Sequence, residues 1–447
     1  MSKTRAHTRR SLADELWGRF GTLTVADLPD DVVTLATQCI LDWFGCAVAG
    51  SCEPLSGILR DEFADYVGGC TVVGSEQRLP PAQAALINGA TGHALDFDDT
   101  HTIMGGHPTA PLLPAAWAIA ESVERTGAEL LAAFVAGFEI ECRLGIGIGG
   151  DHYAKGWHST STLGVFGATA AAAHLLRLDH VQFGHAIGLA ASQASGLKAN
   201  FGTMTKPFHA GHAAEGGVTA ARLAARGFTA NPEVIEANQG LAQAAGSGSG
   251  TFNRDRIDRH TDDWLIRSTL FKYHAACYLT HASIEATSTL LRQDLGSVES
   301  VRLVVNPSIL DVCGIAEPKT GLEGKFSLRA TTALTLLGFD TTDTATFVDA
   351  TIQQSSVQSL LRRVTVDTDP GLTTTQSRVI VSTSQGDRAA DYDSGVPTSD
   401  LSLQGTKLVA KFRGLVTPVL GAGHAEELDV RIHDLANRAE VSGLLTF

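Results

Sequence analysis

From residue 10 to about 245 the chain carries one dominant signal: Ala-rich segments at 127–144, 162–176, 181–194 and 210–226 that are apolar over wide arcs of a helical period. A helix that is apolar on several sides must be covered on several sides, so this stretch predicts an all-α body with short connections. Start signals agree with that reading. Asp30 and Asp31 can cap a helix through Val32, Ala36, Ile40 and Phe44, Pro81 suits the first turn of the next, and Pro111 opens another. After the loop Gly246-Ser247-Gly248-Ser249-Gly250 the texture changes to short β-branched runs at 301–305, 364–366 and 379–381, with helical pattern at 324–337, 343–350 and 355–362 between them. The tail, through Leu408 and Leu428 to Leu435, is helical again. The expected fold is mainly α with a smaller α+β domain: a helical domain formed from both chain ends (1–264 plus 396–447) and an α+β domain at 265–395.

Composition narrows the function classes. With 34 Lys+Arg against 48 Asp+Glu, the net charge of −14 over 447 residues opposes attraction to nucleic acid or an anionic membrane. Seven scattered cysteines (Cys39, Cys46, Cys52, Cys70, Cys142, Cys277, Cys313) contain no C-x-x-C pair and read as buried free thiols. Arg9-Arg10 is followed by Ser11-Leu12-Ala13-Asp14-Glu15 instead of an apolar core, so it does not read as an export signal. No apolar run reads as approaching the ~18 residues of a membrane span. The expected location is cytoplasmic.

Thirteen of the sixteen histidines fall between residues 93 and 281, and the densest polar stretch in that window is HALDFDDTH, His93 to His101. On a continued helix Leu86, Gly89, His93, Asp96 and Thr100 would share one face, bringing an acid and an imidazole together, while Gly89 and Gly92 would admit a neighbouring backbone. Asp96, Asp98, Asp99 and His101 also suggest a divalent metal, but no second carboxylate cluster completes such a site. An aspartate-rich diphosphate motif of a terpene synthase would need an aromatic cavity, and only 6% of residues are aromatic. Gly145-x-Gly147-x-x-Gly150 matches a dinucleotide fingerprint in letters but follows a helical segment instead of a strand, and reads as a loop. Further polar candidates stand at helix edges: His107 before Pro108, His158 with Ser159 and Thr160, Lys206 through His209, and Lys272 with His274. His174, His180, His185 and His260 read as satisfied core or cap residues.

At these residues the sequence resembles the MmgE/PrpD family, which includes 2-methylcitrate dehydratase, cis-aconitate decarboxylase and iminodisuccinate epimerase. The matching stretches are NGATGHALDFDDTH (88–101), GHPTAPLLPAA (106–116), GWHSTSTLGVFGATAAA (156–172), FGTMTKPFHAGHAAE (201–215), Phe271-Lys272, GKFSL (324–328) and Lys411-Phe412. The resemblance implies a cofactor-free, metal-free enzyme, usually a homodimer, that binds a small di- or tricarboxylate and moves a proton beside a carboxylate. By motif it singles out Asp96, His158, Lys206 and Lys272 for catalysis, and Thr100 and His107 for substrate binding. Where dehydratase and decarboxylase members commonly carry Tyr, this chain has Arg329-Ala330, and the 104–108 and 156–158 stretches look closest to the epimerase branch. The expected reaction is therefore epimerisation, with dehydration or decarboxylation as alternatives and a non-catalytic carboxylate-binding protein as the competing class. A proton α to a carboxylate is weakly acidic, so its removal needs a positioned base together with cations or donors that hold the enolate-like charge.

Overall fold

The computed structural model describes residues 10–149, 151–245, 252–292 and 295–445. The Gly246–Gly250 loop, Gly150 and Arg9 lie outside the described residues. The chain divides into two compact units, Met1–Thr269 with Asp400–Phe447, and Leu270–Ser399.

The principal helices of the first unit are α1 (Leu12–Phe20), α2 (Asp30–Gly50), α3 (Pro81–Gly92), α4 (Thr109–Ser122), α5 (Gly127–Ile148), α6 (Gly164–Leu175), α7 (His180–Gln193) and α8 (Thr205–Ala225). After the second unit, α11 (Leu401–Leu420) and α12 (Ala422–His433) complete it. Several start where local chemistry dictates. Pro81 occupies the first turn of α3, Thr126 and Glu129 form a reciprocal capping box on α5, and Asp179 with Gln182 does the same for α7. Helix α2 is long and apolar enough by composition to cross a membrane, which the sequence reading had excluded. In the fold 78% of that apolar window is buried, as in a core helix, and α11 packs along it where Gly45 leaves room for Phe412.

Glycine sets the tightest crossing. A Cβ on Gly211 of α8 would stand 2.2 Å from the Leu86 carbonyl of α3, and one on Gly89 would stand 2.8 Å from the Gly211 Cα, so these backbones touch. The first two glycines of the fingerprint are not in a loop: Gly145 and Gly147 lie within α5, whose C-cap is Gly149 with φ +84°. Cys52 is exposed and Cys277 half-buried, whereas the other five cysteines are buried, and none of the seven is in a disulfide.

The second unit holds α9 (His281–Leu291), β1 (Val298–Val305), α10 (Leu328–Leu336), β2 (Val364–Thr368), β3 (Gln376–Thr383) and β4 (Gly386–Asp393). Its sheet runs β2-β1-β3-β4, with β1 parallel to β2 and the other pairs antiparallel. The register places Val301 between Val364 and Val381, and Leu303 between Val366 and Val379. Alternate residues Val301, Leu303, Val305, Val379 and Val381 thereby face one core against α9. The chain is mainly helical with this small mixed sheet, the expected fold class. Strand β4 escaped the sequence reading because Asp387, Arg388, Asp391 and Asp393 give it a polar edge in place of a β-branched run.

Candidate active site

The expected face of Leu86, Gly89, His93, Asp96 and Thr100 does not exist as one helix. Helix α3 stops at Gly92, where a Cβ would stand 2.3 Å from the Trp43 indole nitrogen, and His93 is its cap. Asp96 then adopts φ +52°, a left-handed conformation that Asp tolerates better than most residues, and reverses the chain. Thr100 falls in a short extended segment, where its hydroxyl donates to the Gly106 carbonyl at 3.2 Å. A turn rather than helical spacing therefore gathers the polar groups.

Four elements deliver side chains to this turn. Lys206, in the first turn of α8, places Nζ 2.7 Å from Asp96 Oδ1. The touching backbones of α3 and α8 hold these two helix ends close together. His107, just ahead of α4, has Nε2 3.5 Å from Asp96 Oδ1 and Nδ1 3.3 Å from Asp98 Oδ2, and its amide donates to Thr160 Oγ1 at 3.1 Å. His158 caps the short helix Ser159–Thr162, and its amide donates to the Gly196 carbonyl at 3.0 Å. Its ring lies 6.0 Å from His93 and edge-on to Phe201 at 4.9 Å, while Lys206 Nζ sits 5.4 Å above the Phe201 ring. Among the site residues expected from sequence, Asp96, His107, His158 and Lys206 converge. Thr100 lies in the same loop, engaged with Gly106. Lys272 is buried in the second unit.

Three residues outside the expected set belong to the cluster. Asp98, fully buried, receives His93 Nδ1 at 2.9 and 3.0 Å, and its Oδ2 stands 3.3 Å from His107 Nδ1. An ionised carboxylate only accepts, so the His93 Nδ1 carries the hydrogen and its Nε2, buried with no hydrogen-bond partner among the described residues, holds the lone pair. His209, on α8 one turn after Lys206, places Nδ1 3.1 Å from His158 Nδ1. The i, i+3, i+6 spacing of Lys206, His209 and His212 is the sequence signal that would have found it. For Asp98 the signal was only one acid among three.

Electrostatics sort these groups. Burial would raise Asp98, but His93 and His107 beside it hold its carboxyl well below the usual range. Burial pushes His93 down to about 4 against the pull of Asp98, and lowers His158, where Lys206 adds to the effect. At neutral pH the site therefore sets ionised Asp98 against neutral His93 and His158, with the Lys206–Asp96 pair beside them. Asp99 and His101 point elsewhere. The Thr109 amide and hydroxyl both donate to Asp99, while His101 accepts from the Met104 amide at 3.2 Å and donates to the Leu265 carbonyl at 2.9 Å. The metal-ligating set suggested by sequence is thus corrected to His93, Asp96, Asp98 and His107, whose donor atoms lie within 4.8 Å of one another. Lys206, at 2.7 Å from Asp96, already places a cation beside those donors.

Comparison with known proteins gives the constellation a context. The MmgE/PrpD N-terminal domain matches residues 20–252, and the MmgE/PrpD C-terminal domain matches residues 274–436. The cis-aconitate decarboxylase-like protein oryM of Aspergillus oryzae is 26% identical over an alignment that covers 100% of this chain and 98% of that protein. Human cis-aconitate decarboxylase is 35% identical over 49% of this chain and 47% of its own length. The Aspergillus terreus cis-aconitate decarboxylase is 28% identical over 74% of this chain and 73% of its own. With its helical unit and its α+β unit each matched, the chain belongs to the MmgE/PrpD family.

Proposed function

We propose that this protein is a cofactor-independent enzyme that makes and quenches a carbanion next to a carboxylate of a small di- or tricarboxylic acid, with loss of a leaving group as the first reading. The observation that carries it is the buried cluster in which one ammonium and the rings of His107 and His158 surround the Asp96 turn. Lys206 is the substrate-carboxylate anchor: Asp96 holds its ammonium at 2.7 Å, and a bound carboxylate shares that charge. His107, between Asp96 and Asp98, donates to the same carboxylate. His158, neutral at neutral pH because burial disfavours its charged form, is the group that takes or returns the proton, with Asp96 as its opposite number. By resemblance, Thr100 joins the binding set.

Loss of CO₂ from a substrate leaves its electron pair on the α-carbon, and removal of an α-proton leaves the same pair there. One site serves either entry, and in both the carbanion ends by taking a proton. The relatives named cis-aconitate decarboxylase favour the lyase outcome over the epimerase outcome that the sequence motifs suggested. Arg329, in α10 where decarboxylases of the family commonly bear Tyr nearby, is the specific observation favouring epimerisation as a second reading. A single set of incubations in D₂O separates them. A decarboxylase releases CO₂ from cis-aconitate or a related tricarboxylate and places deuterium in the product, a dehydratase releases an ultraviolet-absorbing alkene, and an epimerase exchanges the α-proton with inversion alone. Binding of carboxylates with none of these events would reduce the protein to a carboxylate-binding member of the fold.

A further inference from the structure

His158 is 2% exposed, so a proton that arrives on it from a substrate has no direct way to solvent. Its Nδ1 meets the Nδ1 of His209 at 3.1 Å, an imidazole-to-imidazole hydrogen bond in which one ring donates and the other accepts. His209 is held in place from its own backbone, where its carbonyl accepts from Ser161 Oγ at 3.1 Å, and it keeps 6% of its surface exposed. One turn further along α8 stands His212, with 38% of its side chain exposed and its Nδ1 3.8 Å from Glu215. The three groups lead from the interior of the cluster to the surface of the helix.

We propose that His209 is a proton-relay and positioning residue that discharges and reloads His158. When His158 Nε2 gains a proton, its Nδ1–H passes to the lone pair of His209 Nδ1, and His209 releases its Nε2–H outward. Each ring gains one proton and loses one, and the reverse transfer restores the starting tautomers. Burial lowers both imidazoles, so neither ring retains the proton at neutral pH. This role rests on the reading of His158 as the proton-transfer group.

The test is His209→Asn, whose side-chain amide oxygen can occupy the Nδ1 position and accept the His158 Nδ1–H but cannot relay. In ¹⁵N-histidine-labelled protein without substrate, exchange of the His158 ring N–H with water should slow at least tenfold in the variant. In turnover at low buffer concentration, kcat should fall about tenfold or more with KM within about twofold, and added imidazole should restore kcat in proportion to its concentration. A purely structural role would give a loss that imidazole does not repair. An unchanged N–H exchange rate overturns the relay whatever the reaction proves to be. Slowed exchange in a protein that transforms no carboxylate leaves the relay standing and removes the assigned reaction. If the asparagine variant fails to fold, the wild-type rate decides: His158 N–H exchange that does not accelerate with added imidazole overturns the relay, and exchange that accelerates supports it.

Discussion

Asp98 and Asp99 are adjacent, chemically identical and buried to the same degree, yet they end in opposite states. Asp98 turns toward His93 and His107 and is held ionised, well below the ordinary range. Asp99 turns toward Thr109. There burial, opposed in part by Thr109 and reinforced by the charges of Asp98 and Asp42, pushes it up to about 8. Glu141, whose carboxyl oxygens have no hydrogen-bond partner among the described residues and whose pKa burial drives well above the usual range, adds to the charge-intolerant side of the turn. Burial alone therefore does not decide the charge of a carboxyl group; the donors that meet it there do.

The sharpest way to break this contrast is Asp98→Asn. It removes the charge that fixes the His93 and His107 ring nitrogens, and turnover should drop by the ~10²–10⁴ associated with general acid–base machinery, with a smaller change in KM. A variant within threefold of wild type would show that the two aspartates are equivalent packing residues. Next in size is Lys206→Met, expected to raise KM by roughly one to two decades through loss of a charge-assisted hydrogen bond, read from initial rates across substrate concentration.

Asp99→Asn should leave kcat within about threefold, since an amide mimics the neutral acid, and its signature should appear in stability. Unfolded, Asp99 titrates near 3.8; folded, near 8. Between those values the native state holds a proton that the unfolded state has released, so this group makes stability fall as pH rises through that window. Urea midpoints should then favour the Asn variant progressively from pH 4 to 8 and level off above. A constant offset would place Asp99 in the ionised class with Asp98. The smallest effect concerns metal. Chelation should leave turnover unchanged within error, because Lys206 supplies the cation, and recovery of a chelated enzyme by one divalent ion alone would transfer that role to the His93, Asp96, Asp98 and His107 donors.

Much of this was written in periodicity. The wide apolar arcs of α5 and α6 could only be core helices, and the alternation of Val301, Leu303 and Val305 could only be a half-covered strand. Asp96, His107, His158 and Lys206 were legible as polar residues stranded at helix edges, and resemblance joined them. Their geometry was not. Helical spacing projects Thr100 onto the face of Gly89, but the helix ends at Gly92 and a positive φ at Asp96 then turns the chain, and pattern counting cannot see a positive φ in a residue other than glycine. Asp98 could not be told from Asp99 because their difference arises from contacts five and ten positions away, with His93 and Thr109. His209 depends on a partner 51 residues distant.

Lys411 of α11 donates to the Phe97 carbonyl at 2.6 Å and pairs with buried Asp42 Oδ1 at 2.6 Å, so the last long helices secure the turn that carries the site. On the ribosome this means delay. The 314 positions between Phe97 and Lys411 take roughly 15–60 s to synthesise at ~5–20 residues per second. For that interval α2 exists with its apolar face uncovered and a carboxylate in that face awaiting its ammonium. The whole second unit can be made while the first still lacks its last helices, so the turn that gathers these polar groups is among the last parts of the molecule to set.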